Sequence, residues 1–148
     1  MDKAIILLKP DCIQLGLQDE LFNRLFDQNL KLVVLHKVLF TEEAIREFYY
    51  KYENHWFFPY IIDYLREDYC IFSVWEGDEI HEKCAEIKGN SYKRTGIRGE
   101  WASSEIYSEK GEKSYIKNVL HVSDPEDFER EYEILSEIII KPPNESTL

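Results

Sequence analysis

The run Asn118-Val119-Leu120-His121-Val122-Ser123-Asp124 ends an apolar, strand-like segment, and an acidic helix is predicted to begin just beyond it at Pro125. Proline suits the first turn of a helix, where its missing N–H would have no partner anyway. Phe128, Tyr132 and Leu135 follow at helical spacing and share one face. A strand that runs directly into an amphipathic helix closes an alternating pattern, and the rest of the chain can be read back from it.

Residues 3–8 are short and continuously apolar, as a buried strand is. Residues 18–28 carry Leu21, Leu25 and Phe26 at helical spacing, and residues 30–40 read as a long, β-rich second strand. Thr41, followed by Glu42 and Glu43, is a natural N-cap for a helix to about residue 52. A shorter helix follows over 59–66, a third strand over 69–76, a further helix over 78–88 and the fourth strand over 116–120. The order β-α-β-(αα)-β-α-β implies an α+β, ferredoxin-like βαββαβ fold. It has a four-stranded antiparallel sheet, helices on one face, and an extra helical pair between strands 2 and 3. No linker or repeat interrupts it, so one domain is expected over 1–140, with a short extended tail over 141–148.

Length, 148 residues, suits a single domain, and 44% hydrophobic with 14% aromatic content is enough for a packed core. No run approaches the roughly 18 apolar residues of a membrane helix. The N-terminus is too short in apolar residues for a signal peptide. Cys12, Cys70 and Cys84 fit no metal spacing and read as reduced thiols, so a cytoplasmic protein with no membrane partner is expected. A net charge of −11 argues against a nucleic-acid surface. Against that background, Lys88, Lys93, Arg94 and Arg98 occur between residues 88 and 98 without a single Asp or Glu. Taken alone, such a run is a solvated basic loop or a place where an acidic protein concentrates its cations.

His121 is the candidate nucleophile. Neutral imidazole is a good nucleophile near pH 7, because its unperturbed pKa lies just below that. Two further runs keep it company: Lys9-Pro10-Asp11 after the first strand, and Ile97-Arg98-Gly99 between the basic residues. Together with Asn118-x-x-His121-x-Ser123-Asp124, in that order, they resemble the active-site motifs of the nucleoside diphosphate kinase family. Tyr49, Phe57-Phe58-Pro59 and Val74-Trp75-Glu76-Gly77 also match, so the resemblance spans roughly residues 3 to 135.

The resemblance implies ping-pong transfer of a γ-phosphate through phospho-His121. Mg²⁺ would be held by the nucleotide phosphates and not by protein ligands. Lys9 and Arg98 would spread positive charge over the transferring group, and Tyr49 and Ser123 would donate hydrogen bonds there. Asn118 would contact the sugar, Phe57 would stack on the base beside Ile61, and Ser91 would stand where the family has a phosphate-contacting threonine. A glutamate orients the histidine in the family. Glu131 takes that place if one residue is deleted at the start of the last helix, and Tyr132 would stand there otherwise. Partners implied are nucleoside di- and triphosphates, and a homo-oligomer built on a dimer core. His36, His55 and His81 match nothing and are expected at the surface.

Several positions depart from the family. Its arginine on the helix over 78–88 aligns with Ala85, leaving Lys88, Lys93 or Arg94 to supply a cation. The loop after Ser91 is shorter, and residues 100–117 are longer, with a polar turn at Glu109-Lys110-Gly111-Glu112. Val122 replaces the glycine after the histidine, and a β-branched residue tolerates positive φ poorly. The competing class is a nucleotide-binding or protein-interaction module on the same fold that has lost turnover.

Overall fold

The computed structural model describes residues 2–141, so most of the expected tail, 142–148, lies outside the described residues. Strand β1 (Lys3–Leu8) leads into α1 (Pro10–Gln14) and α2 (Gln18–Asp27), and β2 (Lys31–Val38) into α3 (Glu42–Phe48). A 3-10 turn (Tyr50–Tyr52) and α4 (Phe58–Leu65) precede β3 (Cys70–Glu76), α5 (Ile80–Lys88) and α6 (Gly96–Trp101). Then come β4 (Ser103–Tyr107), β5 (Lys113–Lys117), β6 (Leu120–Val122), a 3-10 turn (Pro125–Asp127) and α7 (Phe128–Glu137). The Thr41 hydroxyl caps α3 as expected, accepting from the Ala44 N–H at 3.1 Å.

The main sheet is antiparallel with the order β2-β3-β1-β6, the ferredoxin-like arrangement expected. Strand β1 lies inside it, with Leu7 between Phe72 and His121. Its alternation divides the core. Ala4, Ile6 and Leu8 join α2 and α5 through Leu21, Leu25, Ile80 and Cys84. Ile5 and Leu7 point the other way, toward Ile45, Phe48, Leu65 and Leu135. Helices thus cover both faces. The crossover helices α2 and α5 form the single layer expected, while the inserted pair α3–α4 and the last helix α7 cover the face expected to be open. A strand buried on both sides has no polar position, which is why residues 4–8 are all apolar.

The fourth strand is not where it was predicted. Residues 113–117 pair with 103–107 in a separate hairpin, and the strand that joins the sheet is Leu120–Val122. The lengthened 100–117 segment is this hairpin. Its tip is closed by the Ser108 N–H donating to the Glu112 carbonyl at 2.8 Å, with Gly111 at φ +83°.

What separates hairpin from sheet is a γ-turn. The Leu120 N–H donates to the Asn118 carbonyl at 2.9 Å, and Val119 between them has φ +77°. That conformation is rare and strained, more so for a β-branched residue. Its surroundings over-determine it. Val119 is fully buried, its N–H donates to Asp11 Oδ2 at 3.1 Å, and its carbonyl accepts from the Lys9 N–H at 2.9 Å. The positive φ that raised concern at Val122 thus falls three residues earlier, and Val122 pairs with Ile6 as ordinary strand.

The shortened loop after α5 is drawn tight. Asn90 and Thr95 exchange backbone hydrogen bonds of 3.0 and 3.1 Å. A Cβ on Gly89 would lie 1.9 Å from the Thr95 carbonyl oxygen, so only glycine fits there.

Candidate active site

The γ-turn delivers His121 to the floor of a cavity of about 440 Å³ that lies between the hairpin, the α3–α4 segment, the end of α5 and the start of α7. Lys9, Tyr49, Phe57, Ile61, Ser91, Arg98, Asn118 and Glu131 line the same cavity. One pocket therefore gathers nine of the ten site residues that the resemblance implied.

Glu131 Oε1 lies 2.8 Å from His121 Nε2, and the carboxylate is buried. A carboxylate only accepts, so Nε2 carries the proton and Nδ1 keeps its lone pair. This is the tautomer a nucleophile needs. Burial pushes the imidazole pKa below its ordinary value, and Lys9 and Arg98 push the same way, against the pull of Glu131. The ring is held edge-on by Phe48 and Tyr49, at 5.0 and 5.8 Å between centroids. Of the two residues weighed for this place, Glu131 is the one beside the ring, while Tyr132 stacks on Phe128, with centroids 5.9 Å apart.

Positive charge converges on the same space. Lys9 is buried, and its Nζ donates to Asn118 Oδ1 at 2.6 Å. Burial, with Arg98 close by, pulls its ammonium down to about 7. Arg98 Nη2 donates to the Leu120 carbonyl at 2.8 Å, while among the described residues its Nε is buried without a partner. The Tyr49 hydroxyl is likewise buried and unpartnered. Among the described residues, no carboxylate lies within ion-pair distance of Lys9, Lys88 or Arg98. Buried donors left without acceptors cost free energy, on the order of 1–3 kcal/mol each. An anion entering the cavity would recover that cost.

At the outer end of the cavity, Phe57 and Ile61 present an apolar wall, and Phe57 is backed by His55, stacked at 5.1 Å. His36 and His55 are exposed, as expected, whereas His81 is only partly so.

The residue that stays apart is Ser123. It is buried and off the cavity wall, and its Oγ accepts from the Ile5 N–H at 2.8 Å while its own N–H donates to the Ile5 carbonyl at 3.0 Å. It fastens the end of β6 to β1, away from the cavity wall where a phosphate contact was expected. Lys93 and Arg94 are also off the wall. Gly99 explains where Arg94 is: a Cβ there would lie 2.3 Å from the Arg94 carbonyl carbon, so the two backbones nearly touch.

Sequence reasoning assigned no role to several residues that build the site. Asp11 receives the Val119 N–H on one oxygen and the Tyr64 hydroxyl on the other, locking the γ-turn. A buried acid directly after a proline that starts a helix was the available signal. Ser114 of the hairpin and Tyr92 complete the wall, and nothing in their sequence context pointed to them.

Residues 2–137 match the family model described as nucleoside diphosphate kinase. The chain is 30% identical over 131 residues to a nucleoside diphosphate kinase of Streptococcus uberis, covering 86% of this chain and 88% of that one. It is 30% identical over 139 residues to another from Thermosipho melanesiensis, covering 90% and 88%. Its fold is similar to that of the Aquifex aeolicus nucleoside diphosphate kinase, with a TM-score of 0.75 at 23% identity, covering 94% of this chain and 99% of that one. A halophilic nucleoside diphosphate kinase from Halobacterium salinarum, solved in complex with CDP, gives a TM-score of 0.74 at 23% identity, covering 99% and 95%.

Proposed function

This chain belongs to the nucleoside diphosphate kinase family and transfers phosphate between nucleotides, and we propose that it does so in two half-reactions through His121. In the first, the Nδ1 lone pair attacks the γ-phosphorus of a nucleoside triphosphate. The bond from that phosphorus to the β–γ bridging oxygen breaks, and the nucleoside diphosphate leaves with the electron pair. In the second, a terminal oxygen of another nucleoside diphosphate attacks phospho-His121, and the P–N pair returns to Nδ1. The proton on Nε2 stays in place throughout, and Glu131 stabilises the cationic ring.

The observation that supports this best is the His121–Glu131 pair set beside Lys9, Lys88 and Arg98, which have no carboxylate within ion-pair distance among the described residues. Phosphoryl transfer passes through a loose transition state whose stabilisation is mostly electrostatic. Lys9 and Arg98 supply positive charge, and the Tyr49 hydroxyl has a hydrogen bond to give. Asn118 spends its amide oxygen on Lys9, which leaves its N–H groups for a sugar hydroxyl. Phe57 and Ile61 take the base, and Ser91, buried at the wall, offers a hydroxyl to the phosphates.

The donor set suits Mg²⁺ carried by the nucleotide. Asp124 is exposed at the cavity wall, whereas Asp127 beside it is already engaged by Lys51 at 3.6 Å and Arg130 at 3.5 Å. Asp124 would meet the bound cation, which offsets phosphate charge.

We assign this activity to one domain, residues 1–140. No described helix is long and apolar enough to cross a membrane. The cysteines are buried as free thiols, with each pKa pushed up by burial to about 12, which suits a reducing, cytoplasmic setting. Strand β2 lies at the sheet edge with Val33 and Leu35 exposed, and a homodimer would cover it.

Initial-rate kinetics test the two-step scheme. Varying ATP at several fixed GDP concentrations should give parallel double-reciprocal lines. Lines that intersect would mean direct transfer in a ternary complex.

A further inference from the structure

Lys88 is a cation that neither the nucleophile nor its helix requires. It occupies the last position of α5, where a positive charge also favours the helix dipole, but an exposed side chain would satisfy that. Instead it is partly buried and lines the cavity, whereas Ala85, one turn earlier, is exposed. Gly89 follows with φ +67° and turns the chain sharply, so that Lys88, Ser91 and Tyr92 share one wall. Among the described residues its ammonium has no carboxylate within ion-pair distance and no hydrogen-bond acceptor. The charges that bear on it are Arg98, which repels it, and Asp124, which attracts it. A lysine placed beside an arginine in a protein of net charge −11 is held against both charge and solvation unless an anion joins them.

We propose that Lys88 is a phosphate-binding residue of this site, closing with Lys9 and Arg98 a three-cation cradle around the phosphate chain of the nucleotide. This rests on the phosphotransfer reading above. Burial and Arg98 lower its pKa in the empty protein, so phosphate binding would restore the charge that the empty cavity opposes.

The test is calorimetric titration of ADP and of adenosine into wild type, Lys88→Gln, Lys88→Arg and Lys93→Gln, with thermal unfolding of each. Losing a charge-assisted phosphate bond should weaken ADP binding roughly 10- to 100-fold in Lys88→Gln. Adenosine, which has no phosphate, should bind all four alike. Lys88→Arg should recover most of the ADP affinity, and Lys93→Gln should match wild type. The empty Lys88→Gln protein should unfold at the same or a higher temperature, since a repulsion has been removed, whereas a merely structural lysine would lower it. Wild-type affinity for ADP in Lys88→Gln, or a loss shared equally by adenosine, would overturn the assignment while leaving phosphotransfer intact. Failure of wild type to bind ADP would instead overturn the phosphotransfer reading itself.

Discussion

Glu131 Oε1 and His121 Nε2 are 2.8 Å apart, and the carboxylate has almost no contact with solvent. An acceptor fixed there decides which nitrogen carries the proton, and so which one can attack. Glu131→Gln tests this with little change of shape. The amide can turn its NH₂ toward the ring, which favours the tautomer with the proton on Nδ1 and occupies the nucleophile's lone pair. We expect kcat to fall roughly 10- to 1,000-fold with KM for nucleotides nearly unchanged. A variant with normal kcat would show that the tautomer is set by something else.

Lys9 opposes folding in the empty protein. It titrates near 7 in the folded chain and near 10.5 when unfolded. Between those values the unfolded state binds the extra proton, so this residue makes stability rise with pH across that window. Below about 7 both states are charged and the cost of burial is fully present. Lys9→Met should therefore stabilise the empty protein, by an order of a few kcal/mol at pH 6 and by less at pH 9. It should also cut phosphotransfer at least roughly 100-fold. Urea unfolding at the two pH values is the check, and a destabilised variant at pH 6 would refute the assignment of strain to this ammonium.

A related expectation concerns protons released or taken up on binding. If phosphate recharges Lys9, ADP binding at pH 8 takes up a proton. The calorimetric enthalpy should then depend on the ionisation enthalpy of the buffer. The same value in phosphate-free buffers of differing ionisation enthalpy would contradict it.

The fold was legible wherever one periodicity ruled a segment. Residues 3–8, 18–28 and 69–76 fell within a residue or two of β1, α2 and β3, because each has a dominant burial pattern. The fourth strand, expected over 116–120, straddles two: residues 116–117 end a hairpin of their own, and Leu120 begins the strand that joins the sheet. Local pattern cannot say which strand a strand pairs with. The γ-turn was invisible for a sharper reason. Valine is among the residues least suited to φ +77°, and only the tertiary contacts from Asp11 and Lys9 hold it there. In the site, side chains that project from motif positions were found, while the inward turn of Ser123 toward the sheet and the choice of Lys88 over Lys93 and Arg94 depend on tertiary packing that local pattern does not carry.

Val119 offers a direct measure of that stored strain. Val119→Gly relieves about 1–3 kcal/mol of backbone strain and loses about 1.5–3 kcal/mol of side-chain burial, so it should lie within about 1 kcal/mol of wild type. Val119→Ala loses packing while keeping a Cβ at positive φ, and should be the less stable of the two. Denaturant midpoints give the order, and alanine outranking glycine would contradict a strained turn.

The exposed edge of β2 carries the expectation of a dimer. Leu35 is 45% exposed there, and a lysine at this position would bury a charge in any contact formed along that edge. Light scattering at low micromolar concentration should find wild type dimeric or larger and Leu35→Lys monomeric. A monomeric wild type would refute the dimer.

The measurement that bears most directly on the central claim is incubation of the protein with γ-labelled ATP and Mg²⁺, followed by quenching in acid and in base. Label should appear on wild type, survive base and be lost in acid, as a phosphoramidate is, and chase into added GDP. His121→Ala should take none. No label on wild type under these conditions, or label that persists in the His121→Ala variant, would contradict transfer through His121.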